Sequence, residues 1–107
     1  MTISFEAPYH NFIKHESVDG IEAYEKFLNF VKGEFDLFQK EEINGLKVYF
    51  PNGWFVVNLL NENERNIEFI INIKSKTLKS GKIIESKLKT LYIFFTSILA
   101  KNEKNLN

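Results

Sequence analysis

Apolar residues in the first third of the chain follow three different patterns. Residues 2–6 alternate and predict a short strand, whereas residues 7–17 show no period and predict an irregular connection. A helix follows, with Ser17 or Asp19 as its N-cap, because short polar side chains accept hydrogen bonds from the first free N–H groups. Phe30 lies about 100° or more from the middle of its apolar stripe, so we expect it to be exposed. The stripe recurs every three or four residues and consists of Ile21, Tyr24, Leu28, Val31 and Phe35.

Two Asn-Gly pairs in the middle of the chain predict two hairpins. Asn44-Gly45 and Asn52-Gly53 each lie between apolar runs, and Asn-Gly favours a two-residue type I′ turn because both positions need a positive φ. A turn at Asn52-Gly53 makes one face of its two strands wholly apolar. It pairs Phe50 with Phe55, Val48 with Val57 and Leu46 with Leu59. Tyr49 and Trp54 are then predicted to lie on the opposite face.

The strands on either side of this hairpin differ in regularity. Before it, Glu42 would lie opposite Lys47, but Glu41 would point to the apolar side. We therefore expect this strand to be an edge strand that is short or bulged. After it, residues 67–74 alternate, with Ile67, Phe69, Ile71 and Ile73 on one side, and predict a fourth strand of the same meander.

The last third of the chain predicts a second helix. Its apolar residues again recur every three or four positions, which indicates burial of one broad side, and residues 101–107 predict a fraying tail. The repeated positions are Ile84, Leu88, Leu91, Phe95 and Ile98. The predicted fold is α+β in the order β-α-β-β-β-β-α, with a four-stranded antiparallel meander and both helices on one face. We predict a single domain over residues 1–107.

Composition narrows the classes of function. The chain has 107 residues, 44% of them hydrophobic and none of them cysteine, which excludes disulfides and cysteine-based catalysis. The first residues lack the basic start and apolar run of a signal peptide, so we expect a cytoplasmic protein. The most apolar stretch, residues 88–100, is too short and too polar to cross a bilayer, so we expect no membrane association.

Charge is balanced overall but segregated along the chain. Residues 1–64 hold five basic and eleven acidic groups, whereas residues 65–107 hold nine and three. Such segregation can steer a charged partner to one side of a protein. The same segregation also results when the surface charges of helices and strands differ by chance, without any function.

No motif in the sequence assembles a catalytic or cofactor site. His10 and His15 with Glu16 lack the spacing of a metal site, so we predict no metal. Neither a glycine-rich nucleotide motif nor a serine nucleophile motif occurs. We therefore expect no cofactor and no enzymatic activity.

The two predicted hairpins resemble a segment of a known family. Residues 44–50 (Asn-Gly-Leu-Lys-Val-Tyr-Phe) followed by residues 52–57 (Asn-Gly-Trp-Phe-Val-Val) are similar to the C-terminal domain of phosphohexomutases. The resemblance implies a layout of the β-α-β4-α kind. The phosphate loop of that family does not carry over, because residues 58–64 lack its arginine, serine, threonine and prolines.

These observations favour a non-enzymatic protein-binding module, most simply a small inhibitor or immunity-type protein that neutralises a toxin or enzyme. An acidic surface around aromatic anchors suits a basic partner such as a nuclease. The predicted partner-binding residues are Glu41, Glu42, Tyr49, Trp54, Glu62 and Glu64.

Two alternatives remain open at this point. One is a small-ligand-binding or enzymatic domain with a pocket lined by some of the eleven phenylalanines. The other is single-stranded nucleic-acid binding on the open sheet face, where Lys47 and Lys74 would lie near the aromatic rings. Zero net charge and a single arginine weigh against nucleic acid. Homodimerisation through the last helix or the open sheet face is compatible with each function.

Overall fold

The protein is an α+β fold of six strands and two helices over the residues described by this computed structural model, 1–42, 44–63 and 65–106. The elements in chain order are β1 (Thr2–Glu6), β2 (Tyr9–Val18), α1 (Ile21–Glu34), β3 (Lys40–Glu41), β4 (Leu46–Phe50), β5 (Gly53–Glu62), β6 (Ile67–Ser75) and α2 (Leu78–Leu106). The six strands form one sheet in the order β1-β2-β6-β5-β4-β3, and every neighbouring pair is antiparallel.

Both helices pack on the same face of the sheet, as predicted. Phe27 of α1 is fully buried, and its ring centroid lies 5.3 Å from that of Phe69 in β6 and 5.4 Å from that of Phe95 in α2. At the other end of the layer, Gly81 of α2 lies against the buried ring of Phe12 in β2. The core therefore fills the space between one sheet face and the two helices.

The predicted four-stranded meander forms as β3-β4-β5-β6, but the sheet has six strands and not four, because the segment expected to be irregular forms β2 and joins β1 to the meander. This ten-residue strand pairs with β1 on one side and with β6 on the other. Its polar residues, among them Lys14, His15 and Glu16, conceal the alternation that places Phe12 and Val18 in the core. Because β2 pairs with a strand on each side, its backbone hydrogen bonds form whatever its side chains are. The alternation of apolar and polar residues can therefore be weak in this strand.

The predicted cap of α1 is also wrong. The N-cap is Gly20, with φ 94°, and no side chain caps the helix. Ser17 belongs to β2, and Asp19 precedes the cap. Phe30, expected to be exposed, is half-buried because its ring stacks on Phe95 at 5.8 Å between centroids.

The second hairpin forms, but its turn lies at Pro51-Asn52 instead of Asn52-Gly53. Tyr49 is therefore opposite Trp54, and Phe50 is opposite Gly53. Gly53 is required for a close approach and not for the turn, since a Cβ there would overlap the carbonyl oxygen of Lys74. The register differs from the predicted one by two residues, so every side chain keeps its predicted face.

The first hairpin reverses at Asn44-Gly45, where φ is 55° and 135°. β3 is a two-residue edge strand, which confirms the prediction of a short edge. Glu41, and not Glu42, lies opposite Lys47. The hairpin loop is thus longer than the predicted two residues. Residues 101–106, predicted to be a tail, continue α2.

Candidate functional site

The sheet face turned away from the helices, called the open face below, carries two neighbouring rows of side chains. The register places Asn11, Lys74, Trp54 and Tyr49 side by side in the first row. It places Ile13, Asn72, Val56, Lys47 and Glu41 side by side in the second row. Since the helices lie on the other face, these side chains are shielded mainly by one another, and most of them are half-buried.

Three rings form an aromatic cluster at one end of the open face: Tyr9, Tyr49 and Trp54. Tyr49 and Trp54 are direct cross-strand neighbours on β4 and β5. Tyr9 reaches over β6 from β2 and meets Trp54 edge to face, with centroids 4.9 Å apart and ring planes at 67°. Edge-to-face pairs contribute about 0.5–1.5 kcal/mol beyond the area they bury. The three rings therefore hold one another in place, although no helix covers them.

A lysine and a glutamate complete the aromatic cluster. The Lys47 ammonium lies 4.9 Å from the ring centroid of Tyr49 and 4.9 Å from that of Trp54. The Tyr49 hydroxyl donates a hydrogen bond of 3.0 Å to the exposed carboxylate of Glu41. Cations are attracted to the negative faces of aromatic rings, by about 0.5–1 kcal/mol at exposed sites. The rings and Glu41 thus make a place where a positive charge is stabilised, and Lys47 occupies it.

Two buried asparagine oxygens lie beside the cluster. Asn11 is 4% exposed, and Asn72 is half-buried between Ile13 and Val56. Neither carboxamide oxygen accepts a hydrogen bond from the part of the chain that the structure describes. A buried acceptor without a donor costs about 1–3 kcal/mol. The centre of the open face therefore carries two buried acceptors for which the described residues supply no donor.

The structure brings together half of the predicted partner-binding residues. Glu41, Tyr49 and Trp54 are neighbours in the cluster just described. Glu42 instead pairs with Lys32 of α1 at 2.7 Å, beyond the edge of the sheet. Glu62 lies at the far end of β5, which at about 3.3 Å per residue is roughly 26 Å from Trp54 along the strand.

The remaining predicted residue, Glu64, lies outside the described residues. Sequence reasoning missed Tyr9, because the segment that carries it was predicted to be irregular. Tyr9 comes directly after Ala7-Pro8, which forms the turn between β1 and β2. A turn at a proline followed by an aromatic residue is a signal for the start of a strand.

No metal site is formed by the residues that the structure describes, since no three His, Asp or Glu side chains gather there. His10 and His15 are five residues apart on β2, so they point to opposite faces of the sheet. Within the described ranges, neither helix is long and apolar enough to cross a membrane.

The clefts on the surface give little support to a phenylalanine-lined pocket. Five clefts of about 320–700 Å³ open to solvent, and Phe69 is the one phenylalanine that lines any of these five. Most of the phenylalanines instead fill the core, among them Phe12, Phe27, Phe35 and Phe55.

Comparison with known proteins assigns neither a family to the chain nor a function to the aromatic cluster. No protein-family model matches the chain, the phosphohexomutases included, and no curated protein matches its sequence.

Proposed function

We propose that the chain is a non-enzymatic protein-binding domain that uses the open face to dock a basic partner. The observation that carries the proposal is the aromatic cluster, which holds an ammonium group 4.9 Å from two ring centroids on a sheet face that the helices leave uncovered. Trp and Tyr are the residues in which binding energy concentrates at protein interfaces. A ridge of three such rings is a suitable anchor for a partner.

The chemistry of the cluster favours a cationic side chain of the partner. An arginine can stack on Trp54 and Tyr49 where the Lys47 ammonium lies, and it can pair with Glu41 beside them. Lys47 is held by no carboxylate within the described residues, so it can turn to solvent at small cost. Nucleic acid would meet the Glu41 carboxylate at the same place, which disfavours an anionic ligand.

A basic partner is what an inhibitor or immunity-type protein requires. Enzymes and toxins that cut nucleic acid carry cationic surfaces because their substrate is an anion. An inhibitor that offers a cation-binding cluster competes for those same side chains. We therefore propose neutralisation of a basic toxin or nuclease as the biological role.

The first test uses the fluorescence of Trp54, the one tryptophan in the chain. An oligo-arginine peptide, an oligo-glutamate peptide of equal length and an oligothymidylate are titrated separately at low salt. We expect saturable binding of the arginine peptide alone. Binding of the oligothymidylate alone would instead establish the nucleic-acid alternative, and no response to any probe would overturn the proposal.

Matched variants locate the site. Tyr49→Ala is expected to weaken oligo-arginine binding about tenfold, because one ring and its cation–π contact are lost. Lys47→Met is expected to strengthen it, because a competing cation is removed. Glu62→Gln removes an exposed carboxylate at the far end of β5 and is expected to change nothing. Equal losses in Tyr49→Ala and Glu62→Gln would point to non-specific charge attraction.

A second test addresses neutralisation. Immunity and antitoxin genes are expected beside the gene of their target, so the product of the adjacent reading frame is purified and assayed for nuclease or toxic activity. We expect equimolar inhibition by this chain and loss of inhibition with Trp54→Ala. A neighbour without such activity, or inhibition that Trp54→Ala leaves intact, would refute the proposed role.

A further inference from the structure

The helical layer, on the side opposite the proposed docking face, has an apolar centre. The rings of Phe95, Phe30 and Phe94 stack outward from the core, with centroids 5.8 and 6.0 Å apart. The outermost ring, Phe94, is 54% exposed, and Ile98 one turn further along α2 is 39% exposed. We call Phe30, Phe94 and Ile98 the helix seam. Adjacent exposed apolar side chains in the middle of a surface are typical of interaction sites.

The two helices that border the seam carry opposite charge. α1 has three glutamates against two lysines, and Asp19 and Asp36 lie just beyond its ends. α2 as far as Lys101 has five lysines against the single Glu85, and Glu85 is paired with Lys14 of β2. α1 is therefore weakly acidic and α2 strongly basic, one along each side of the seam.

The two helices run antiparallel, so each charged residue of α1 lies beside a defined position of α2, at the same level along the seam. Phe30 lies beside Phe94, and the backbone carbonyl of Glu34 accepts a hydrogen bond from Lys87 at 3.3 Å. At a rise of about 1.5 Å per residue, Glu22 of α1 lies level with Lys101 of α2. An acidic and a basic position thus lie across the seam from each other on both sides of Phe94.

We propose that the helix seam is the interface of a two-fold homodimer. A two-fold axis parallel to the seam places α1 of one copy over α2 of the other, so that acidic α1 meets basic α2 twice. Because the axis is parallel to the seam, the rotation does not move any residue along the seam. Phe94 therefore lies against the seam of the second copy. Glu34 then meets Lys87 of the second copy, and Glu22 meets Lys101 of the second copy.

The size of this surface sets the expected strength. α1 is about 21 Å long and the two helices together are about 20 Å wide, which places the contact at the small end of specific interfaces. We therefore expect a dimer that dissociates in the micromolar range. Both open faces stay free on the outside, so the dimer offers two docking faces to a partner.

Sedimentation equilibrium of the full chain tests the proposal. We expect a mass that rises with concentration from 12.6 kDa towards twice that value. Salt at about 1 M should weaken the dimer, because it screens the flanking charges. A mass that stays at that of the monomer up to several hundred micromolar overturns the proposal.

Variants separate the seam from other surfaces. Phe94→Ser should abolish the dimer, while Ile83→Ser, an isoleucine that is 59% exposed on α2 but beyond the end of α1, should leave it intact. Glu22→Lys and Lys101→Glu should each weaken it several-fold, and the double variant should recover most of the loss. An unchanged circular-dichroism spectrum and a cooperative thermal melt show that the monomers of each variant remain folded.

The outcomes also distinguish the two surfaces of the molecule. A dimer that survives Phe94→Ser but is lost in Tyr49→Ala would show that the open face holds the second copy. That result refutes the seam dimer and the proposed docking of a basic partner together. A seam dimer without oligo-arginine binding refutes only the proposed function.

Discussion

The two faces of the sheet are made by the same strands, yet they differ sharply in burial. Phe55 is fully buried under the helices, while its neighbour Trp54 remains half-buried on the open face. In β6, Phe69 and Ile71 are at most 1% exposed, and Ile70 between them is not buried. The covered face is filled with apolar groups that only stability requires. The open face keeps three aromatic rings, two lysines and two carboxamide oxygens that accept no hydrogen bond from the described residues.

The largest expected effect comes from truncating adjacent residues on opposite faces. Phe55→Ala should lower the free energy of unfolding by about 3–5 kcal/mol, because it empties a fully enclosed site beside Phe35. Trp54→Ala should lower it by only about 1–2 kcal/mol, because the ring is already partly hydrated. Urea unfolding followed by circular dichroism measures both.

The same pair can break the comparison. Suppose that Trp54→Ala lowers the free energy of unfolding as much as Phe55→Ala does. The open face would then be buried as deeply as the covered face, for example against a second copy of the chain. A urea midpoint that depends on protein concentration for Phe55→Ala but not for Trp54→Ala would identify that case.

Two glycines in the helices test how closely the covered face is filled. A Cβ on Gly81 would overlap Cε1 of Phe12, a fully buried ring that cannot move aside freely. We expect Gly81→Ala to lower the free energy of unfolding by about 1–2 kcal/mol, the overpacking strain outweighing the gain in helix propensity. The urea midpoint is again the measurement.

Gly33 is the matched control for Gly81. It lies in α1, and a methyl group added to its Cα would have no neighbour within 4 Å, so the methyl meets open space. Gly33→Ala should therefore raise the free energy of unfolding by about 0.5–1 kcal/mol. Destabilisation by both changes would mean that backbone conformation, and not contact with β2, decides the effect at Gly81.

How far the sequence predicts this fold depends on how local each signal is. The alternation of residues 67–74 and the apolar repeats of α2 correctly indicated β6 and a buried helix, because the period of the apolar positions reflects which side chains are buried. β2 gave no such signal, because its position depends on pairing with two strands, one of them far away in sequence. Tyr9 was missed for that reason.

The candidate site was predicted in part for a related reason. Tyr49 and Trp54 lie on the predicted face even though the turn is at Pro51-Asn52, because a shift of two residues preserves the side-chain faces. The acidic residues could not be grouped in advance, since proximity in sequence to a turn does not decide which edge of the sheet a side chain reaches. Glu41 joins the cluster, whereas Glu42 turns to Lys32.

Effects about as small as that of Gly33→Ala are expected at two tyrosines of the helical layer. The Tyr24 hydroxyl is buried and makes no hydrogen bond with the part of the chain that the structure describes, and burial raises the pKa of Tyr24 above its ordinary 10.0. The Tyr92 hydroxyl donates to the carbonyl oxygen of Ser17 at 2.6 Å. Burial and then the charge of Glu16 raise the pKa of Tyr92. At neutral pH, Tyr24→Phe should stabilise the protein by about 0.5–1 kcal/mol and Tyr92→Phe should destabilise it by about 1 kcal/mol.

At alkaline pH the two changes should instead act in the same direction. A tyrosine whose pKa is higher in the folded state contributes stability below pH 10.0, and this contribution is lost as the pH rises through the folded-state value. Each phenylalanine variant should therefore lose less stability than the parent chain between pH 9 and pH 11, roughly the range in which tyrosine ionises. Urea midpoints across this range measure the difference. Identical slopes in the parent and both variants would show that the two hydroxyls ionise as freely in the folded protein as in the unfolded chain, and that the helices shield the covered face less than the burial of Phe55 and Phe69 implies.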